Sequence, residues 1–107
     1  METPLRQARV FMHGSYSGTL EELKLNEHYR FTYSDDYAGP PVSLTMPVEQ
    51  NVYEFLKFPS FFEGLLPEGV MLEGLLRQCR IDKNDCFAQL MAIGGELVGA
   101  VTVEEIK

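Results

Sequence analysis

The sequence predicts an α+β fold: a curled antiparallel sheet of about five strands with two to three short helices, in a single domain over residues 1–107. Three observations lead there. Tyr29, Phe31 and Tyr33 alternate with Arg30 and Thr32, the period of a half-buried strand with an aromatic face. Phe58, Phe61, Phe62, Leu65 and Leu66 recur at i, i+3, i+4, i+7 and i+8, which gathers large apolar groups on one face of a short helix. Strand-like segments come first and helix-like segments follow, without β–α alternation, so the sheet is antiparallel.

Residues 1–5 read as a frayed end. Residues 8–13 contain Val10-Phe11-Met12, a short buried-strand pattern; Gly14-Ser15 is the turn and residues 16–20 the returning strand. Gly18 and Thr19 interrupt that strand and mark a bulge. Residues 21–27, with Leu23 and Leu25 alternating, are strand continuation or connection. After the aromatic strand, residues 34–41 hold Asp35-Asp36, Gly39 and Pro40-Pro41 and read as loop. Val42, Leu44 and Met46 alternate with Ser43 and Thr45 as a fourth strand, which Pro47 ends or marks as an edge. Residues 49–57 are a connection.

The Phe-rich helix covers about residues 59–66, and burying its five large side chains is worth roughly 1.5–3 kcal/mol each. Pro67 stops it and Gly69 suits the turn. Met71, Leu72, Leu75, Leu76 and Cys79 form one stripe of a second helix, with Glu73, Arg77 and Gln78 pointing away. Asp82 to Asp85 offers N-caps for a third helix, marked by Phe87, Leu90 and Met91 and closed by Gly94-Gly95. Residues 97–103, with Val98, Val101 and Val103, form the last strand, and residues 104–107 a polar tail.

The formal net charge is −7 and the basic residues are scattered, which argues against direct nucleic-acid binding and suits a basic protein partner or simple solubility. A chain of this size forms one core but is only marginally self-sufficient, so it leans toward a partner. No apolar segment fits a signal peptide or a membrane span, and the expected location is cytoplasmic. Cys79 and Cys86 form no Cys-x-x-Cys pair and read as reduced, mostly buried thiols rather than a disulfide or metal site.

Catalytic patterns are equally sparse. Gly94-Gly95-Glu96-Leu97-Val98-Gly99 lacks the Lys-Ser/Thr of a phosphate loop and follows a helix instead of opening one. His13 and His28 lie in separate segments near strand ends, and the adjacent acids Asp35-Asp36 and Glu104-Glu105 point in different directions on most backbones. The reading is a binding domain and not an enzyme, with no catalytic, cofactor-binding or metal site.

Several blocks together resemble the N-terminal subdomain of HipA-type toxin kinases. They are Phe31-Thr32-Tyr33; Pro41-Val42-Ser43-Leu44-Thr45-Met46-Pro47; Phe61-Phe62-Glu63-Gly64-Leu65-Leu66-Pro67-Glu68-Gly69; Asp85-Cys86-Phe87; and Ala92-Ile93-Gly94-Gly95-Glu96-Leu97-Val98-Gly99-Ala100-Val101. The residues of a HipA kinase's catalytic lobes, a catalytic loop and a metal-binding Asp motif, are absent from this sequence. In this it is similar to the HipS-type subunits of split, three-gene HipBST toxin–antitoxin systems. The resemblance implies an antitoxin: a non-enzymatic subunit that binds and neutralises a HipT-like Ser/Thr kinase, in a ternary complex with a HipB-like DNA-binding protein. The alternative it leaves open is a structural subunit that completes the kinase–HipB complex without inhibiting the kinase.

The expected partner-binding residues are Glu63, Pro67, Glu68, Gly69, Val70 and Met71, around the turn between the two apolar helices. That turn comes to the surface yet carries Val70 and Met71. Either Met71 opens the second helix's core stripe, or the turn enters the kinase cleft as a hot spot. Relatives of the subdomain place a large aromatic after Pro-Glu-Gly, where this chain has the smaller Val70, a departure that weakens the cleft-blocking reading.

Overall fold

The structure, a computed structural model, describes residues 3–97 and 100–106. Strands β1 (Arg6–Met12), β2 (Ser15–Lys24), β3 (His28–Tyr33) and β4 (Val52–Phe55) precede helices α1 (Ser60–Glu63), α2 (Gly69–Cys79) and α3 (Cys86–Ile93). A 3₁₀ turn at Gly94–Glu96 and strand β5 (Val101–Ile106) follow. All pairings are antiparallel and the sheet order is β4-β3-β2-β1-β5, so the predicted α+β architecture holds.

The β1–β2 hairpin closes through His13 (φ 51°) and Gly14 (φ 83°), the two left-handed positions of a tight turn that matches strand twist. The bulge falls at Ser17, one residue before the expected Gly18-Thr19: Val10 pairs with Gly18 and Phe11 with Tyr16. Ser17 turns its hydroxyl inward to donate to the Val10 carbonyl at 2.9 Å. β2 runs on to Lys24, which settles residues 21–24 as strand.

One face of the sheet carries the core. Tyr29, Phe31 and Tyr33 are buried as their alternation predicts, against Phe58, Phe62, Phe87 and Leu90. Phe58 packs edge-on to Tyr29 at 5.3 Å between ring centroids, and Phe62 lies 5.9 Å from Phe31. The opposite face presents charge, with Arg30 on Glu21 at 3.2 Å, His28 on Glu54 at 2.8 Å and Arg9 on Glu104 at 3.2 Å. An antiparallel sheet with one solvated face is thereby served by the alternation that the sequence shows.

The fourth strand is not where alternation placed it. Residues 42–46 are turns: Val42 and Met46 are buried, while Leu44 is 93% exposed. The Tyr33 hydroxyl donates to the Met46 carbonyl (2.5 Å) and accepts from the Val42 amide (3.0 Å). Tyr53 donates to the Pro47 carbonyl and Tyr37 to the Pro40 carbonyl, each at 2.5 Å. Three tyrosine hydroxyls thus take up backbone groups of this loop in place of a strand ladder. β4 forms instead at Val52–Phe55, in the stretch expected to be a connection.

The helices are shorter and shallower than the stripes suggest. α1 has four residues; Phe58 and Phe62 are buried, whereas Phe61, Leu65 and Leu66 are half-buried. α2 buries no residue: Leu72, Leu75 and Leu76 are half-buried, and Met71 and Cys79 are exposed. The expectation of two mostly buried thiols therefore fails at Cys79, the last residue of α2, while Cys86 is half-buried. α3 starts as predicted, the Asp85 carboxylate accepting from the Ala88 amide at 3.1 Å. The last strand begins at Val101 and not at Leu97, because the chain tightens into a 3₁₀ turn after Ile93, and it runs through the expected polar tail to Ile106. Val98 and Gly99, assigned to that strand from sequence, lie outside the described residues.

Arg6 joins three elements. Its Nε and Nη2 meet Glu22 Oε1 and Oε2 at 2.7 and 2.8 Å, and its guanidinium also reaches Asp85 at 2.9 Å. The same group lies 5.0 Å over the Phe87 ring.

Candidate functional site

Of the six residues expected to bind a partner, Pro67 and Met71 line one groove, and Glu63, Glu68, Gly69 and Val70 are exposed. After Glu63, the amides of Gly64, Leu65 and Leu66 bond back to Ser60, Phe62 and Glu63, so the chain tightens for one further turn before Pro67 breaks it. Glu68 is extended (φ −128°, ψ 162°) and Gly69 is left-handed (φ +61°), which lets α2 leave at a sharp angle. Glu68 provides no side-chain cap, so the first amides of α2 face solvent or a partner. Glu63, Glu68 and Gly69 are exposed and Pro67 is half-buried.

Val70 is 83% exposed and Met71 76%. The alternative in which Met71 opens a core stripe is therefore corrected: the stripe faces outward at its N-terminal end. Met71 forms one wall of a groove of about 660 Å³, with Leu65 and Pro67 beside it and Leu75, Ile93 and Leu97 along its length. Sequence reading missed the far wall. Ile93 closes α3 and Leu97 leaves the 3₁₀ turn, and neither belongs to a periodic stripe that points to the α1–α2 turn. Gly74 is the one available signal. It sits mid-helix in α2 with nothing within 4 Å of where a Cβ would stand, and it lines the groove.

The chemistry of this surface is that of contact. Burial, with the charges of Glu63 and Asp85 adding to it, pushes the Cys86 thiol up, so it stays protonated. Among the described residues no group of three or more His, Cys, Asp or Glu side chains is placed to hold a metal ion. Among the same residues, no helix is long and apolar enough to cross a membrane. An acid-flanked turn that leads into two exposed apolar side chains, beside a largely apolar groove, has the chemistry of a protein-contact surface.

The family model for the HipA N-terminal domain matches residues 8–104. An uncharacterized protein of Haemophilus influenzae (strain ATCC 51907 / DSM 11121 / KW20 / Rd) is 35% identical over 107 residues, covering all of this chain and 99% of that protein. A solved structure of the N-terminal domain of HipA toxin superposes with a TM-score of 0.74 at 28% identity, covering 100% of this chain and 98% of that one.

Proposed function

The chain belongs to the HipA N-terminal domain family, and we propose that it is a protein-binding subunit that docks on a HipT-like Ser/Thr kinase and neutralises it. Membership of the HipA N-terminal domain family, with a solved relative that is the N-terminal domain of HipA toxin, suggests an association with HipA-like toxin systems and supports this reading. In this reading the chain is the cytoplasmic antitoxin, and a HipB-like DNA-binding protein completes the complex.

The observation that carries the reading is the exposure of Val70 and Met71 in the first turn of α2, directly after Pro67 and the left-handed Gly69. A pre-shaped loop loses little entropy on docking, and burying each side chain contributes roughly 1.5–3 kcal/mol. Glu63 and Glu68 beside it suit basic groups of a kinase cleft.

The small size of Val70 favours one second reading, a subunit that completes the kinase–HipB complex without blocking the cleft. One experiment separates them. The chain is co-expressed with a HipT-like kinase, and growth, complex formation and autophosphorylation are read for wild type and for the Val70→Gly, Met71→Ser double variant. Rescue of growth that the double variant loses, with the complex retained, supports neutralisation through the turn. Retained binding with undiminished toxicity of the wild-type pair supports the structural subunit. Failure of the wild-type chain to bind the kinase overturns both.

A further inference from the structure

The two edges of the sheet are finished differently. On β5, the His13 amide bonds the Ala100 carbonyl, and counting along the register turns the backbone groups of Val101, Val103 and Glu105 away from β1. Gly94 covers the middle of that edge so closely that a Cβ on it would lie 2.3 Å from the Val103 carbonyl oxygen. At β4, the Tyr33 amide bonds the Asn51 carbonyl, so Tyr53 and Phe55 exchange hydrogen bonds with β3, and Val52 and Glu54 direct their N–H and C=O groups outward. Among the described residues β4 pairs with β3 alone. The Val52 carbonyl takes a bond from the Gln50 side-chain amide at 2.8 Å, an exposed group that an incoming main chain can displace.

Four residues and one acid suffice to keep an edge from pairing by accident. They do not account for the apolar surface around it. Val52 is 41% and Leu56 84% exposed, and beside the strand end lies a cavity of about 580 Å³ lined by Met46, Phe55, Leu56, Phe58 and Phe61, with Glu54 and Lys57 at its polar part.

We propose that the free edge of β4 is a second docking surface, which takes an extended basic segment of a partner protein as a sixth strand. Alternation sets the chemistry of that segment. A residue opposite Glu54 shares its face, where Lys or Arg adds a second cation to the carboxylate that His28 meets from β3 at 2.8 Å. The residues on either side fall on the cavity face, where apolar side chains fit. A second copy of this chain suits the edge poorly, because pairing Val52 and Glu54 with themselves sets two Glu54 carboxylates opposite or diagonal and joins two chains of net charge −7. The surface is separate from the α1–α2 turn, and its test does not depend on the kinase reading.

The probe is the peptide acetyl-Lys-Val-Lys-Phe-Lys-Val-Lys-amide, titrated into the ¹⁵N-labelled chain and followed by amide resonances. The expected result is shifts and slowed exchange centred on the Val52 and Glu54 amides, no change at Val70 and Met71, and weaker binding of the same peptide with Glu for Lys. Val52→Pro removes only an outward-facing N–H, so the fold is retained while binding falls roughly tenfold for one lost main-chain hydrogen bond. Glu54→Lys needs no backbone change and reverses the preference, so that the Glu peptide binds better than the Lys peptide. Absence of peptide binding, shifts centred elsewhere, or an unchanged charge preference in Glu54→Lys overturns the proposal. So does a dimer in light scattering that Val52→Pro abolishes, since the occupant is then a second copy.

Discussion

Arg6 grips Glu22 at two points, and Glu22 has no exposed surface, while the Arg6 side chain keeps about a quarter of its own (26%). The Glu22 hydrogen bond, first among its partners, raises the Arg6 pKa further, and burial together with the Glu22 charge drives the Tyr29 phenol well above its ordinary range. The pair joins β1 to β2 and, through Asp85, to the start of α3. Arg6→Ala leaves a buried carboxylate unpaired, and the expected loss is about 3–5 kcal/mol by urea denaturation. Glu22→Gln, which removes the buried charge and keeps hydrogen-bonding capacity, is expected to cost less than Arg6→Ala. The reverse order would place the stabilisation elsewhere.

Phe62→Ala and Phe61→Ala separate core from surface within one short helix. Phe62 is wholly buried and its loss is expected to cost about 3–5 kcal/mol by cavity formation. Phe61 is half-buried, with its ring 5.1 Å from that of Phe62, and its removal is expected to cost clearly less. Equal drops in melting temperature would contradict this.

Tyr33→Phe removes one oxygen and orphans two backbone groups, the Val42 amide and the Met46 carbonyl. The expected cost is about 1–3 kcal/mol. Faster proteolysis within residues 40–47 than in wild type should accompany it, because the loop loses the bond at its centre.

Two glycines give opposite signs. Gly94→Ala drives a methyl into the Val103 backbone and is expected to destabilise by about 1–3 kcal/mol. Gly74→Ala meets nothing, and the expected result is a gain of about 0.5–1 kcal/mol from a better helix former. Thermal melts of the two variants check both.

Burial works to raise the Asp85 pKa, but the Arg6 hydrogen bond and the Ala88 amide outweigh it and hold the carboxyl below its ordinary range. A folded pKa below the unfolded value adds stability above the unfolded value, near pH 4, and that stability is lost as pH falls through the folded value. Denaturation midpoints should therefore drop on acidification below about pH 4, and Asp85→Asn should flatten that limb of the curve. An unaltered acid limb in Asp85→Asn would assign it to other carboxylates.

What could be read from sequence followed the strength of the local pattern. Tyr29, Phe31 and Tyr33 declared their strand because every second side chain faces a single core, and Asp85 declared its helix because a cap is a local bond. Val42, Leu44 and Met46 carried the same alternation and misled. Val42 and Met46 are held by a tyrosine nine and thirteen residues away, a distance over which periodicity conveys nothing. The Val52–Phe55 strand has only two inward positions, Tyr53 and Phe55, too few to register as a period. At the candidate site the turn was visible through Pro67 and Gly69, since proline cannot continue a helix and glycine alone takes the left-handed conformation without cost. The groove was not, because Ile93 and Leu97 approach Met71 only through the tertiary fold.

The seat of β5 has a kinetic consequence. Arg9 and Glu104, which meet across the β1–β5 pair, are 95 positions apart in the chain. Pairing so remote closes a very large loop, and folding that waits on such contacts is slow. Until β5 arrives, the flank of β1 that carries the backbone groups of Gln7, Arg9 and Phe11 stays unpaired. A chain emerging from the ribosome carries that open flank until almost all of the present sequence has been made, and it is in that interval that the domain is most exposed to aggregation.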